Sequence, residues 1–158
     1  MEVVLASLIA VAGTLLGSIS TFIFQRRSSA QAEVFTRSLQ LRQERLTTYS
    51  AYAEAVTALR QGTVALWFRL QGDADHPETQ HAFTECDRLG AATEHARFRV
   101  RLLAEDDTLV SLAASAFDAI GPIRRATTKT ELAEREQELQ DALTAFITAA
   151  AIQIHRST

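Results

Sequence analysis

From Val3 to Gln25 the chain carries no charged side chain: EVVLASLIAVAGTLLGSISTFIFQRR opens on Glu2, runs apolar, and closes on Arg26 and Arg27. A helix over Val3–Phe24 has ~22 residues and spans about 33 Å, enough to cross the ~30 Å hydrocarbon core of a bilayer. Its polar side chains, Ser7, Thr14, Ser18, Ser20 and Thr21, are all hydroxyls, which can bond back to helix carbonyls. The segment predicts a transmembrane anchor with a basic flank over residues 1–27. A cleaved signal peptide is the second reading, with SAQA at 29–32 as an Ala-x-Ala-like site. Against it stand the missing positive n-region, the length of the apolar run, and Arg26 and Arg27 in between. A buried helix of a soluble core is the third reading, but such helices are usually shorter and show a polar face.

The flanks predict orientation. Only Glu2 and the terminal amine precede the span, whereas Arg26, Arg27, Arg37, Arg42 and Arg45 follow it. Positive charge stays on the cytoplasmic side, so the N-terminus is expected outside and residues 25–158 in the cytoplasm, at the inner membrane, as a single-pass protein. Arg26, Arg27 and Arg37 form the expected membrane-surface basic flank, and all five arginines are expected to attract anionic headgroups, at about 1 kcal/mol each near the surface. The lipid bilayer is thus the first expected partner. Within the span, Ala6, Ala10, Gly13 and Gly17 recur at spacings of three and four and include a G-x-x-x-G pair. Small residues let two helices approach closely, so a homo-oligomer through the membrane helix is one expectation. The plainer one is that Gly and Ala are common in such helices.

Beyond the span the signals are helical. Six glycines and two prolines leave few turns, and Ala, Leu, Arg and Glu, all strong helix formers, dominate. Every basic residue except Lys129 is arginine, which together with the alanine content fits a high-GC genome. Residues 28–45 are polar and read as a membrane-proximal helical stalk. Residues 46–158 read as a cytoplasmic helical bundle. The first helix carries a row through Phe35, Leu39, Leu46, Tyr49, Ala53, Val56, Thr63, Trp67 and Leu70, interrupted by Arg42 and Arg60. QGDADHP at 71–77 breaks it, and Pro77 starts the next helix, with Phe83, Cys86, Leu89 or Gly90, Thr93, Ala96, Val100 and Leu103 inward. RFRVR at 97–101 alternates like a strand, but five residues without a partner strand stay helical. EDD at 105–107 predicts a turn with Asp106 or Asp107 as N-cap. A third helix through Leu109, Val110, Ala113, Ala116, Phe117 and Ile120 is expected to stop or kink at Gly121-Pro122. Thr128 and Glu131 predict a capping box for the last helix, with Leu132, Leu139, Leu143, Phe146, Ala150 and Ile154 inward. The fold class expected is therefore all-α: an N-terminal transmembrane helix, then an antiparallel up-down bundle of a long first helix plus three shorter ones.

Chemistry is harder to find. A formal charge of −3 gives no basic footprint, so nucleic acid is not an expected partner. Phosphate-loop, dinucleotide and nucleophile-elbow patterns are missing, and no catalytic residue or cofactor is expected. Cys86 cannot form an internal disulfide, which fits a reducing compartment, and it reads as a buried structural thiol. Glu78 and His81 form one Glu-x-x-His, the spacing of carboxylate-bridged di-metal bundles, and are the weak metal candidates; a second motif and two further carboxylates are lacking. His81 with Glu85 reads as a surface pair. Arg97, Arg99, Arg101, Arg124 and Arg125 could hold phosphate or anionic lipid, though arginines of this kind are more often a solvated face paired with Glu94, Glu105 and Asp106. Trp67 and Phe68 read as core, or, if exposed, as a partner-binding anchor.

A charge-free N-terminal span ending in FIFQRR, then RQERLTTYSAYAEAV, then ARFRVRLLAEDDTLVSLAASAF, resembles a loose group of uncharacterised small membrane-anchored helical proteins of high-GC Gram-positive bacteria. The resemblance covers most of the chain and implies no catalytic residues. It also implies a role in mobile elements, since some proteins of this layout are carried on plasmids and prophages. The expected function is a non-enzymatic protein whose bundle mediates self-association or contact with a cytoplasmic protein partner at the membrane. The alternatives are a metal- or ligand-binding bundle acting as sensor or enzyme, and a membrane protein of a prophage or plasmid.

Overall fold

Stripes of apolar residues at helical spacing cannot be buried one helix at a time, and the chain resolves this by folding back on itself. In the computed structural model the backbone is described for residues 2–72 and 76–156, and side chains for 36–72 and 76–156. Five helices account for it: α1 (Glu2–Leu70), α2 (Pro77–Leu103), α3 (Asp107–Asp118), α4 (Ile120–Arg125) and α5 (Lys129–Arg156). No strand occurs among the described residues. The chain divides into two units, Met1–Leu41 and Arg42–Thr158. The span at Val3–Phe24 falls in the first, on side chains outside the described set. Among the described residues no helix is long and apolar enough to cross a membrane.

Long-range bonds fix the topology of the second unit. Tyr49 of α1 reaches Leu103 at the end of α2 and Gln153 near the end of α5. Towards the other end, Arg69 meets Glu78 at the start of α2, and Arg60 meets Glu136 early in α5. Helices α2 and α5 are therefore antiparallel to α1. Tyr52 bonds Ala113 O and Trp67 bonds Ala126 O, so the α3–α4 arm runs parallel to α1. The result is the expected up-down bundle.

Its core is one cluster built from all of these helices, centred on Tyr52, Val56, Ile123, Leu139 and Phe146. The Tyr52 and Phe146 rings meet edge to face, 4.9 Å between centroids. On α5 the predicted inward row is the observed one, every member buried. On α1 the expected row holds at Tyr49, Val56, Thr63 and Trp67, and the buried face extends to one side of it. Thr48, Tyr49, Tyr52, Val56, Leu59, Thr63, Leu66 and Trp67 are buried, while Leu39 and Leu46 are exposed and Ala53 and Leu70 half-buried. Phe68, expected as core, is exposed beside a buried Trp67, because neighbours on a helix point ~100° apart.

The helix ends follow the local chemistry. Asp106 caps α3, its carboxylate accepting from Leu109 N at 3.0 Å. Thr128 Oγ1 accepts from Glu131 N at 3.1 Å. Glu131 closes its half of the box one residue further out, on Thr127 N at 2.9 Å. The predicted stop at Gly121-Pro122 lies instead at Ala119, and the expected third helix is two, α3 and α4. Pro122 has no N–H for the Asp118 carbonyl, and its ring clashes there, so the ladder ends upstream. Pro122 then sits in the first turn of α4, where no N–H is required.

Candidate functional site

Small residues on two antiparallel helices leave a groove, and α1 and α5 supply it. The helices are tied by Tyr49–Gln153 at 2.9 Å and by Arg60–Glu136 at 2.9 Å. Between these ties Ser50 and Ala53 on α1 face Ala150 and Ala151 on α5 across a cavity of about 410 Å³. Its floor is the buried core itself: Tyr49, Phe146, Ala150 and Ile154. Leu46 and Ile147 form the apolar rim, 47% and 48% exposed. Glu54 and His155 are its ionisable lining. The groove continues along the same helix pair past Thr57, Ala58, Gln140 and Leu143.

Its chemistry is that of an apolar receptor. The Tyr49 hydroxyl points into the protein, with Gln153 Oε1 at 2.9 Å and Leu103 O at 3.2 Å as acceptors for its one proton. Burial pushes its pKa up from the ordinary phenol value, against the lowering influence of Arg45. His155 Nδ1 is 2.6 Å from Ala151 O in its own helix. What the surface presents is leucine and isoleucine edges over an aromatic floor, the composition that receives an apolar side chain or helix ridge. The groove was only partly visible in the sequence. Leu46, a member of the row expected inward, is exposed on the rim. Ile147 and Ala151, beside Phe146 and Ala150, widen the apolar face of α5 beyond one buried stripe, and that width is the signal to look for.

The other sequence candidates fall elsewhere. Glu78 lies in the first turn of α2 and is paired with Arg69 at 3.1 Å. His81 is exposed one turn later. No group of three or more His, Cys, Asp or Glu that could hold a metal occurs among the described residues. Glu85 pairs with Arg88 rather than His81: the guanidinium at 2.6 Å holds its carboxyl below the usual range. Cys86 is half-buried against Gly62 and Thr63 of α1, and burial pushes its thiol up. Arg97 pairs with Glu94 at 3.3 Å and lies 4.9 Å over the Phe117 ring. Arg45, read as part of the lipid-facing flank, is instead buried in the bundle with a side chain 8% exposed, bridged to Glu105 at 2.5 Å. It falls on the α1 face that carries Thr48, Tyr49 and Tyr52, which turns it inward. Arg37 is exposed on α1. Ala6, Ala10, Gly13, Gly17, Arg26 and Arg27 lie outside the residues whose side chains are described.

Among curated proteins and solved structures, none matches the chain. A family model does: that of the KilB plasmid transfer protein, over residues 46–154. The match begins at Leu46 on the groove rim and ends at Ile154 on its floor, so it takes in α2, α3 and α4 whole and the bundle portions of α1 and α5. By that match the chain belongs to the KilB plasmid transfer protein family.

Proposed function

We propose that this protein is a non-enzymatic binding module of plasmid transfer, tethered to the cytoplasmic face of the inner membrane by residues 1–27. Its α1/α5 groove receives an amphipathic helix of a cytoplasmic protein partner. One observation carries the reading: the family-matched segment is the bundle, and the bundle carries an apolar recess rimmed by exposed Leu46 and Ile147. Two exposed aliphatic rims over an aromatic floor suit insertion of apolar anchors at i, i+3 or i+4 and i+7. The charge-free Val3–Phe24 segment followed by Arg26 and Arg27 supports the tether and its orientation. The Ala6, Ala10, Gly13, Gly17 stripe supports a pairing of two anchors, which would present two grooves side by side.

The test is site-specific photocrosslinking in cells that carry the plasmid. A photoreactive phenylalanine at Ile147 is expected to capture one discrete protein. The same probe at Gln137, exposed on α5 outside the groove, is expected to capture none. Equal patterns at both positions would remove the groove as the contact site. Capture of a second copy of the chain would replace the hetero-partner with self-association.

A further inference from the structure

A second exposed apolar feature lies at one end of the bundle and is chemically unlike the groove. Near the end of α2, Phe98 is 52% and Leu102 82% exposed. They stand one turn apart, on a face continued by exposed His95 and Arg99, with exposed Arg101 beside them. One acidic residue, Glu94, shares that side one turn before Phe98. It is paired with Arg97 at 3.3 Å, which leaves Arg99 and Arg101 as the excess charge. In the acidic turn that follows, Glu105 is on Arg45 and Asp106 on Leu109 N, while Asp107 is exposed in the first turn of α3. The end itself is identified by the Tyr49–Leu103 bond: it is where α1 enters the bundle at Arg42–Leu46. Exposed Leu46 and Ile152 stand at this same end.

We propose that the Phe98–Leu102 face of α2, with Arg99 and Arg101, docks the bundle on an anionic lipid surface. The inference rests on the reading of residues 1–27 as a tether. Aromatic and aliphatic side chains set among arginines are the composition of interfacial helices, with the apolar members entering the acyl boundary and the cations meeting headgroup phosphates. Charge selects lipid over a second copy of the chain. A two-fold pairing of this face brings two arginines from each copy together with one carboxylate, Glu94, that Arg97 already holds, whereas an anionic bilayer neutralises both Arg99 and Arg101. Docking holds the bundle down on the membrane and leaves the α1/α5 groove as the side open to partners.

The experiment uses the full chain in vesicles. With Cys86→Ala as background, a fluorophore is attached at His95→Cys on the proposed face or at Gln137→Cys as control. Lipids spin-labelled near the headgroup serve as quenchers. In vesicles containing phosphatidylglycerol the label at 95 is quenched and that at 137 is not. The difference disappears in phosphatidylcholine alone and at high salt. Arg99→Glu with Arg101→Glu lowers the ratio of docked to undocked label at least about tenfold. Phe98→Ser with Leu102→Ser does so too, with the helical circular dichroism unchanged. Equal quenching at 95 and 137, or quenching at 95 indifferent to lipid charge, overturns the proposal. So does shielding of the label at 95 from an aqueous quencher in lipid-free detergent, which would assign the face to a protein contact. Flotation with phosphatidylcholine vesicles reads the tether separately. A chain that floats without quenching keeps the tether and loses the face. One that fails to float but is quenched with anionic lipid keeps the face and loses the tether.

Discussion

The Tyr49 hydroxyl lies 2.9 Å from Oε1 of Gln153, joining the first helix of the bundle to the last across 104 residues of sequence. The same oxygen is 3.2 Å from Leu103 O, so one side chain marks the point where α1, α2 and α5 converge. About five turns further along the helix, Trp67 donates to Ala126 O at 2.6 Å and ties α1 to the end of α4. Between them Tyr52 donates to Ala113 O at 2.5 Å. Helix α1 is thus pinned to its neighbours by aromatic side chains that are apolar in body and polar at the tip, which places register information inside the core.

That arrangement separates two substitutions at Tyr52. Removing the hydroxyl in Tyr52→Phe loses one buried hydrogen bond and lowers stability by about 1 kcal/mol. Removing the ring in Tyr52→Ala opens a cavity against Phe146 and costs about 3–5 kcal/mol. Urea unfolding followed by circular dichroism measures both, and equal losses would contradict the packing.

Tyr49 and Tyr52 are the chain's two tyrosines, so ultraviolet titration reads them alone. Burial raises both phenols above the ordinary 10.0, Tyr52 the more strongly. The folded protein then holds its protons where the unfolded chain loses them. Stability from this source is whole below pH ~10 and falls as pH rises through the folded values. Neither phenol should ionise at its usual pH in the folded protein, and both should in denaturant. A normal tyrosine titration without unfolding would contradict their burial.

Two glycines in mid-helix should respond oppositely. A Cβ at Gly90 of α2 meets nothing within 4 Å, so Gly90→Ala should stabilise by about 0.5–1 kcal/mol through helix propensity. A Cβ at Gly62 comes to 2.8 Å from Leu89 Cδ1, where α1 and α2 approach closely. Gly62→Leu should force the helices apart and cost about 1–3 kcal/mol. Thermal melts of the two variants decide it, and the reverse order would contradict the α1–α2 contact.

The caps give a third group. Asp106→Ala should cost about 1 kcal/mol by freeing Leu109 N. The Thr127 amide holds the Glu131 carboxyl below the usual carboxylate range. Its folded pKa is depressed, so its contribution is present above the unfolded value near 4.5 and is lost as pH falls through the folded one. Glu131→Gln should flatten the acid limb of stability against pH, and an unchanged limb would contradict the box.

The sequence was most legible where one physical rule acted alone. The α5 row is clearest in the first half of the helix, where Leu132 and Leu139 stand among Glu and Gln, and Asp106 and Thr128 mark helix starts by local hydrogen bonding, Pro77 by its fixed φ. Helix α1 was less legible because it is apolar on more than one side. Tyr52, Leu59 and Leu66 form as good a row as Ala53 and Leu70, and only packing against Phe146 decides between them. The Ala119 break was displaced because a proline acts on the carbonyl four residues before it. The groove depends on which of two adjacent residues, Phe146 or Ile147, a neighbour covers, and periodicity does not contain that information.

The central claim, a groove that serves plasmid transfer, is tested most directly by transfer frequency. Leu46→Arg with Ile147→Arg places charge on both exposed rims while leaving the buried floor intact. At wild-type abundance and helicity, the account predicts at least about a tenfold fall in transfer, the loss of two apolar anchors from one contact. Transfer at the wild-type frequency would contradict it.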